Sequence, residues 1–176
     1  MSADGLLRRY ASGAGAAAGR KARGLPARPA ARTVIVTCMD ARIDTYALFG
    51  LAPGDAHVLR NAGGVITDDV IRSIVISQRK LSTTDVILVH HSGCGMATFT
   101  DDDFSEELAI ETGMRPPWQP RAFVDAAEDV RSGMARLARN PFLLKGTPIR
   151  GFVLDIETFA LEEVHPAPAS SEDSML

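Results

Sequence analysis

The chain has 176 residues, of which 45% are hydrophobic and 23% are charged, with a net charge of −3. This size suits one ordinary globular domain. No apolar run approaches the roughly 18–20 residues that a membrane-spanning helix needs, so we expect a protein without a membrane segment.

The charge is spread unevenly along the chain. Residues 1–32 carry seven Lys or Arg and one acid, which leaves this arm at +6 and the remainder at −9. A basic arm could bind nucleic acid or an anionic membrane, but no aromatic residues interleave with its basic residues. We therefore favour an arm that lies across an acidic partner subunit, and expect neither nucleic acid nor membrane as a partner.

The start of the chain could also imitate an organellar transit peptide, because it is rich in Arg and poor in acids. We nevertheless predict a cytoplasmic protein.

There are only two cysteines, Cys38 and Cys94. In a reducing compartment such a pair is more often metal-binding or catalytic than a structural disulfide.

The first half of the chain alternates short β-branched runs with helical patterns. A helix over residues 3–18 is weakened by its glycines, and a Pro- and Arg-rich connector follows over 20–32. The elements predicted next are a strand at Thr33–Thr37, a helix at Ile43–Phe49, a strand at Ala56–Leu59, and a helix that Thr67 caps and that runs through Leu81.

The second half continues the alternation and ends in a hairpin. The predicted elements are a strand at Asp85–His90, helices at Asp101–Thr112 and Arg121–Ala138, a strand at Ile149–Ile156, and its antiparallel mate at Phe159–Val164. Residues 166–176 are predicted to be a disordered tail, which leaves residues 33–165 as the one folded domain, where any chemistry is expected.

Strands that alternate with helices indicate an α/β fold with a mostly parallel sheet, covered by helices on both faces. We predict the strand order 2-1-3-4, with an antiparallel fifth strand at the edge. In such sheets ligands bind beyond the carboxyl ends of the strands, where the strand order reverses. That edge of the sheet is where a functional site is expected.

Potential metal ligands follow two of the predicted strands directly. Cys38 ends the first strand, and His91 and Cys94 follow the third. If these strands are neighbours, two thiolates and an imidazole converge, which is a donor set that suits zinc. Three protein ligands leave a fourth position open, as in catalytic zinc sites. The alternatives are two buried thiols with an incidental histidine, or a disulfide, and both are disfavoured.

The pattern C-x-D-x-R, followed about fifty residues later by H-x-x-C, resembles that of β-carbonic anhydrases. The segments CMDAR, RNAGG, TDDVIRS, HHSGCGM and TFTDDDF resemble a small actinobacterial branch of that family. The likeness covers residues 33–164. One departure is visible, because close relatives usually have Thr-Asp where this chain has Ser92-Gly93.

The resemblance implies one Zn²⁺ per chain, bound by Cys38, His91 and Cys94. It also implies that Asp40, hydrogen-bonded to Arg42, orients a zinc-bound hydroxide that converts carbon dioxide to bicarbonate and a proton. In some family members this aspartate becomes a fourth ligand and blocks the metal, so a blocked low-pH state of Asp40 is a hypothesis. Two thiolates offset the charge of the ion, so we expect activity to rise toward alkaline pH.

Three further expectations concern the surroundings of this site. Gly63 is a candidate backbone donor to the substrate. His90 competes with His91 as a ligand, but successive strand residues point to opposite faces and the H-x-x-C spacing favours His91; His57 and His165 are expected to be structural or solvated. The family resemblance implies a homodimer or a tetramer, with the N-terminal arm embracing its partner.

Other functions stay open at this point. The same zinc chemistry could hydrolyse carbonyl sulfide or carbon disulfide. A zinc-holding bicarbonate sensor without turnover is a second alternative, although it would not need the Asp40–Arg42 pair. A thiol-redox protein is disfavoured because the usual C-x-x-C motif is absent.

Overall fold

A five-stranded sheet lies at the centre of the computed structural model, which describes residues 2–166. Its strands are β1 (Thr33–Cys38), β2 (His57–Asn61), β3 (Asp85–His91), β4 (Ile149–Leu154) and β5 (Leu161–Val164). Their order is β2-β1-β3-β4-β5, and every pair is parallel except β4 with β5. The predicted fold, including the antiparallel edge strand, is confirmed.

Residues 2–166 contain the α-helices α1 (Ala3–Arg9), α2 (Gly15–Ala22), α3 (Thr45–Phe49), α4 (Asp68–Leu81), α5 (Asp101–Thr112) and α6 (Ala126–Ala138). The helix α4 begins where its sequence predicts, because the Thr67 hydroxyl accepts a hydrogen bond from the N–H of Val70. Within residues 2–166, no helix combines the length and the apolar character needed to cross a membrane.

One predicted helix begins later than its sequence pattern suggests. The prediction was Arg121–Ala138, but α6 begins at Ala126. The N–H groups of Ala122 and Phe123 are bonded elsewhere, to Asp101 and to the carbonyl of Met96. Asp125 then caps the helix, because its carboxylate accepts from the backbone of residues 127 and 128. These contacts come from distant parts of the chain, so local periodicity does not reveal them.

The N-terminal arm is more helical than predicted. Helical segments α1 (Ala3–Arg9), Tyr10–Ala14 and α2 (Gly15–Ala22) follow one another, interrupted at Gly13, where φ is 117°. None of their residues is buried. The connector is anchored at Ala27, whose carbonyl accepts from His57 Nε2 at 3.3 Å, and at its end, where Ala30 and Ala31 donate to the carbonyls of Gly54 and Asp55. The predicted tail, apart from Pro166, lies outside the described residues.

Alternating side chains of the sheet form two apolar layers. On one face, sheet residues pack against helix residues that include Ile74 of α4 and Leu137 of α6. The sheet residues of this layer include Val34, Val36, Val86 and Leu88. The other packs against α3 and the loops at the carboxyl ends of the strands, and it includes Ile35, Val89, Leu154, Phe123, Cys38 and Cys94. Both cysteines therefore lie within an apolar layer, at the end of the sheet where the functional site was expected.

The loop after β2 touches the end of β1 so closely that it leaves no room for a side chain. A Cβ atom placed on Gly64 would lie 2.9 Å from the backbone nitrogen of Cys38 and 2.9 Å from the carbonyl carbon of Thr37. Gly64 also has a φ of 74°, a conformation that L-residues rarely adopt. Glycine is thus required for the loop to approach Cys38.

We expect Gly64→Ala to lower the free energy of unfolding by more than about 2 kcal/mol, because backbone strain adds to a clash that no side-chain movement relieves. Urea denaturation of the metal-free protein measures this loss. Gly50→Ala is the matched control: its φ is 61° but the space around it is open, so only the strain of about 1 kcal/mol applies. Equal losses in the two variants would contradict the close-approach argument.

Candidate metal centre

Three potential metal ligands meet at the carboxyl ends of two adjacent strands. Cys38 is the last residue of β1, His91 is the last residue of β3, and Cys94 lies three positions further on. Their ligand atoms all lie within 4.8 Å of one another, and all three side chains are buried. The structure thus brings together the residues that the sequence singled out as a zinc site.

The distance between the two sulfurs fits one shared metal ion. It is 3.9 Å, and two sulfurs each about 2.3 Å from a tetrahedral zinc are about 3.8 Å apart. Both cysteines are free thiols. A sulfur–sulfur bond would be about 2.0 Å long, so this spacing corresponds to two ligands and not to a disulfide.

His91 presents a free lone pair to this cluster. Its Nδ1 lies 2.9 Å from the carbonyl oxygen of Ser92, and a carbonyl can only accept, so Nδ1 carries a proton. Its Nε2 is buried and has no hydrogen-bond partner. An unpartnered buried nitrogen beside two thiols is an observation that favours a bound metal.

The two thiols differ in their readiness to ionise. Burial raises the pKa of Cys38, but the neighbouring imidazole of His91 and backbone hydrogen bonds from Asp40 and Gly63 outweigh it and leave a value of about 7. Burial and the neighbouring Cys38 raise the pKa of Cys94 to about 11. The neighbouring Cys38 sulfur in turn raises the pKa of His91. Metal binding must therefore displace at least the proton of Cys94.

The carboxylate of Asp40 lies beside the cluster, with Oδ2 3.8 Å from His91 Nε2. Arg42 holds it with two side-chain bonds, Nε to Oδ1 at 3.0 Å and Nη2 to Oδ2 at 2.7 Å, and with its backbone N–H at 2.9 Å. These hydrogen bonds keep the pKa of Asp40 well below its usual range. Asp40 is thus a fixed anion at the edge of the centre, and its oxygens are engaged by Arg42.

Two more contacts restrain the loops that carry the ligands. Arg60 donates from Nε to the carbonyl of Cys38 at 3.0 Å and from Nη2 to that of Asp40 at 2.7 Å. Arg42 Nη2 also donates to the carbonyl of Gly93, at 3.2 Å. No role was predicted for Arg60, although a basic residue directly after the predicted strand at Ala56–Leu59, at the same end of the sheet, was a usable signal.

The remaining predicted residues lie as follows. Gly63 is buried, and its backbone lowers the pKa of Cys38; its role as a donor to the substrate stays a prediction. His90 points away from the cluster and bonds to Asp129 of α6 at 2.8 Å. His57 bonds to Ser77 at 2.6 Å, and His165 is exposed at the end of the described residues.

Fold and site together define an α/β protein with a candidate Cys₂His metal centre at the switch point of a parallel sheet. Residues 33–131 match the family model described as carbonic anhydrase. The chain is 55% identical over 142 residues to β-carbonic anhydrase 1 of Mycobacterium tuberculosis, covering 81% of this chain and 87% of that protein. It belongs to the carbonic anhydrase family.

Two further comparisons widen this picture. The crystal structure of a carbonic anhydrase from Streptococcus mutans superposes with a TM-score of 0.84 and 38% identity, covering 94% of this chain and 99% of that one. A carbon disulfide hydrolase from Acidianus sp. is 31% identical over 169 residues, covering 82% of this chain and 81% of that protein.

We expect the affinity for zinc to rise by at least about tenfold per pH unit across the neutral range. The reason is that Cys94, with a pKa of about 11, must release one proton for every ion bound. Competition with a chromophoric chelator at several pH values measures the slope. Cys94→Ala should bind zinc more weakly but with a shallower slope, and an affinity that does not change with pH would contradict the assignment of Cys94 as a ligand.

Proposed function

We propose that this protein catalyses the reversible hydration of carbon dioxide to bicarbonate and a proton, with one zinc ion bound by Cys38, His91 and Cys94. The observation that carries the proposal is the three-residue cluster beside a carboxylate that Arg42 engages. Among residues 2–166, no other His, Cys, Asp or Glu joins this cluster. Three ligands leave one coordination position for a reactant.

A zinc ion held here would supply a polarised water that loses a proton readily enough to attack carbon dioxide. Asp40 would orient this water, because an ionised carboxylate only accepts hydrogen bonds and thus selects one direction for the O–H group. Arg42 would keep Asp40 in place through its two side-chain bonds. The carboxylate needs no protonation step of its own, because its pKa is held well below the neutral range.

The hydrogen bonds from Arg42 to Asp40 would also keep the fourth coordination position of the metal free of protein ligands. In the blocked state considered above, the carboxylate of Asp40 would have to leave Arg42 and reach the metal. Here both carboxylate oxygens accept from Arg42, and a third bond comes from its backbone N–H. We propose that the open arrangement is the resting state and that Arg42 decides between the two.

The surroundings of the cluster suit a small apolar substrate. Ile43, Val65, Met96, Phe123 and Ile156 are buried in the layer that contains both cysteines. Such side chains exclude water, which strengthens the electrostatic interactions of the site. An uncharged molecule such as carbon dioxide loses little hydration on entering.

Carbon disulfide or carbonyl sulfide is the alternative substrate, favoured by the likeness to the Acidianus hydrolase. The ligands and the Asp40–Arg42 pair would serve either reaction. The higher identity to a carbonic anhydrase, 55% against 31%, favours carbon dioxide. A sensor without turnover is disfavoured because it has no use for an oriented carboxylate beside the metal.

Two assays on the zinc-loaded protein test the proposed activity. Stopped-flow measurement of acidification should show hydration of carbon dioxide, and a sulfide-release assay with carbon disulfide should show little turnover. Sulfide release without hydration would favour the alternative. Absence of both reactions in a protein that holds one zinc per chain would reject catalysis and favour the sensor.

We expect Asp40→Asn to keep about one zinc per chain but to lose hydration activity by on the order of 100-fold, because an amide also donates and so misorients the attacking water. Metal analysis and stopped-flow kinetics measure the two effects. Asp69→Asn is the matched control, since Asp69 pairs with Arg72 on the surface, and it should leave both unchanged. A fully active Asp40→Asn enzyme would contradict the role of Asp40.

A homodimer, or a tetramer built from it, is the proposed assembly. The arm over residues 3–22 exposes Leu6, Leu7 and Tyr10, which are 57–69% accessible, and its positive charge complements the acidic remainder of a second copy. Analytical ultracentrifugation at micromolar concentration should therefore give at least a dimer. Replacing the three apolar side chains by Ser should weaken it, and a monomeric wild-type protein would reject the assembly.

The cytoplasm is the proposed location. The metal centre needs both thiols in the reduced state, and both are free in the structure. Reducing compartments keep thiols in that state.

A further inference from the structure

We propose that Ser92 is a positioning residue for the metal ligand His91: it anchors the ligand loop to the end of β4 and fixes the ring proton of His91 on Nδ1. This inference rests on the proposed metal site and concerns how tightly that site holds its ion. It assigns a purpose to a position at which close relatives usually have Thr.

All three polar groups of Ser92 make hydrogen bonds. Its N–H donates to the carbonyl of Leu154 at 2.9 Å, and its hydroxyl accepts from the N–H of Ile156 at 2.9 Å. Its carbonyl accepts from His91 Nδ1 at 2.9 Å. Two of these bonds lead to β4 and the residues just after it, and the third leads to the metal ligand.

The bonds to β4 determine where the Ser92 carbonyl points. Leu154 and Ile156 are buried, so the groups that hold Ser92 belong to the rigid core and not to a loose surface loop. With its N–H and its hydroxyl fastened, the residue has little freedom to rotate. The carbonyl therefore stays aligned with Nδ1 of His91, and Nε2 stays directed at the two sulfurs.

The hydroxyl is the part of this arrangement that depends on the side chain. Without it, the N–H of Ile156 loses its acceptor and one of the two bonds to β4 is gone. The ligand loop would then keep the bond from the Ser92 N–H to Leu154 and the bond from Arg42 to the Gly93 carbonyl, at 3.2 Å. A Thr at this position keeps the hydroxyl, whereas Ala and Val do not.

The test compares wild type with Ser92→Ala, Ser92→Thr and Ser92→Val. Thr and Val have nearly the same shape and differ in the hydroxyl, so they separate hydrogen bonding from packing. Zinc affinity is measured by chelator competition at fixed pH, and the geometry of the centre is read from the visible absorption of the Co²⁺-substituted protein. Circular dichroism and thermal unfolding of the metal-free variants report on the fold alone.

We expect Ser92→Ala and Ser92→Val to weaken zinc binding by about tenfold or more, the usual effect of removing a group that orients a metal ligand. Their Co²⁺ spectra should change, while the metal-free proteins stay folded. Ser92→Thr should restore both the wild-type affinity and the wild-type spectrum. A positioning role predicts a change in zinc affinity and in the Co²⁺ spectrum, and it predicts that the metal-free chain stays folded.

Equal zinc affinity in the Thr and Val variants would overturn the proposal, because the hydroxyl would then be dispensable. A Ser92→Ala chain that loses its fold without metal would overturn it as well, since the hydroxyl would be a requirement of the whole fold. Failure of the proposed activity is distinguishable: a wild-type chain that binds zinc but hydrates no carbon dioxide would reject the reaction and leave the role of Ser92 standing.

Discussion

The parallel pairing of β1 with β3 is the constraint on which the metal centre depends. The register pairs Val36 with Leu88 and Thr37 with Val89, so that Cys38 and His91, the last residues of the two strands, lie at the same end of the sheet. A slip of one residue would reverse the faces of β3 and turn His90 toward the cysteine in place of His91. The apolar layers on both faces of the sheet, which pack only in this register, therefore also determine the ligand set.

The ligands themselves are three side chains, but their positions are held by residues that do not bind the metal. Arg60 restrains the backbone of the first ligand loop, Ser92 fastens the second, and Arg42 joins the two through Asp40 and Gly93. Each of these residues contacts a backbone carbonyl or N–H group. The site is therefore held by a network of hydrogen bonds between loops, which preserves the spacing of the ligand atoms.

In the proposed reaction, the buried apolar side chains around the cysteines and the Asp40–Arg42 ion pair have different roles. The buried side chains around the cysteines admit a small uncharged substrate, and the Asp40–Arg42 pair supplies direction without carrying net charge. The two thiols are unequal, because the imidazole of His91 and the backbone of Asp40 and Gly63 offset the burial of Cys38, whereas Cys94 has only the backbone of Met96 to offset its own. Burial in this apolar layer thus affects both the entry of the substrate and the protonation of the two thiols.

The sequence by itself determined the order of strands and helices, the starts of capped helices such as α4, and the choice of His91 over His90. These features depend on local patterns: β-branched runs, a capping hydroxyl, and the H-x-x-C spacing together with the alternation of faces along a strand. Only the tertiary structure decided the late start of α6 and the contacts of Arg60 and Ser92. The start of α6 depends on Asp101 and Met96, and Arg60 and Ser92 bond to backbone groups of distant residues. Such distant partners leave no mark on the local pattern of the sequence.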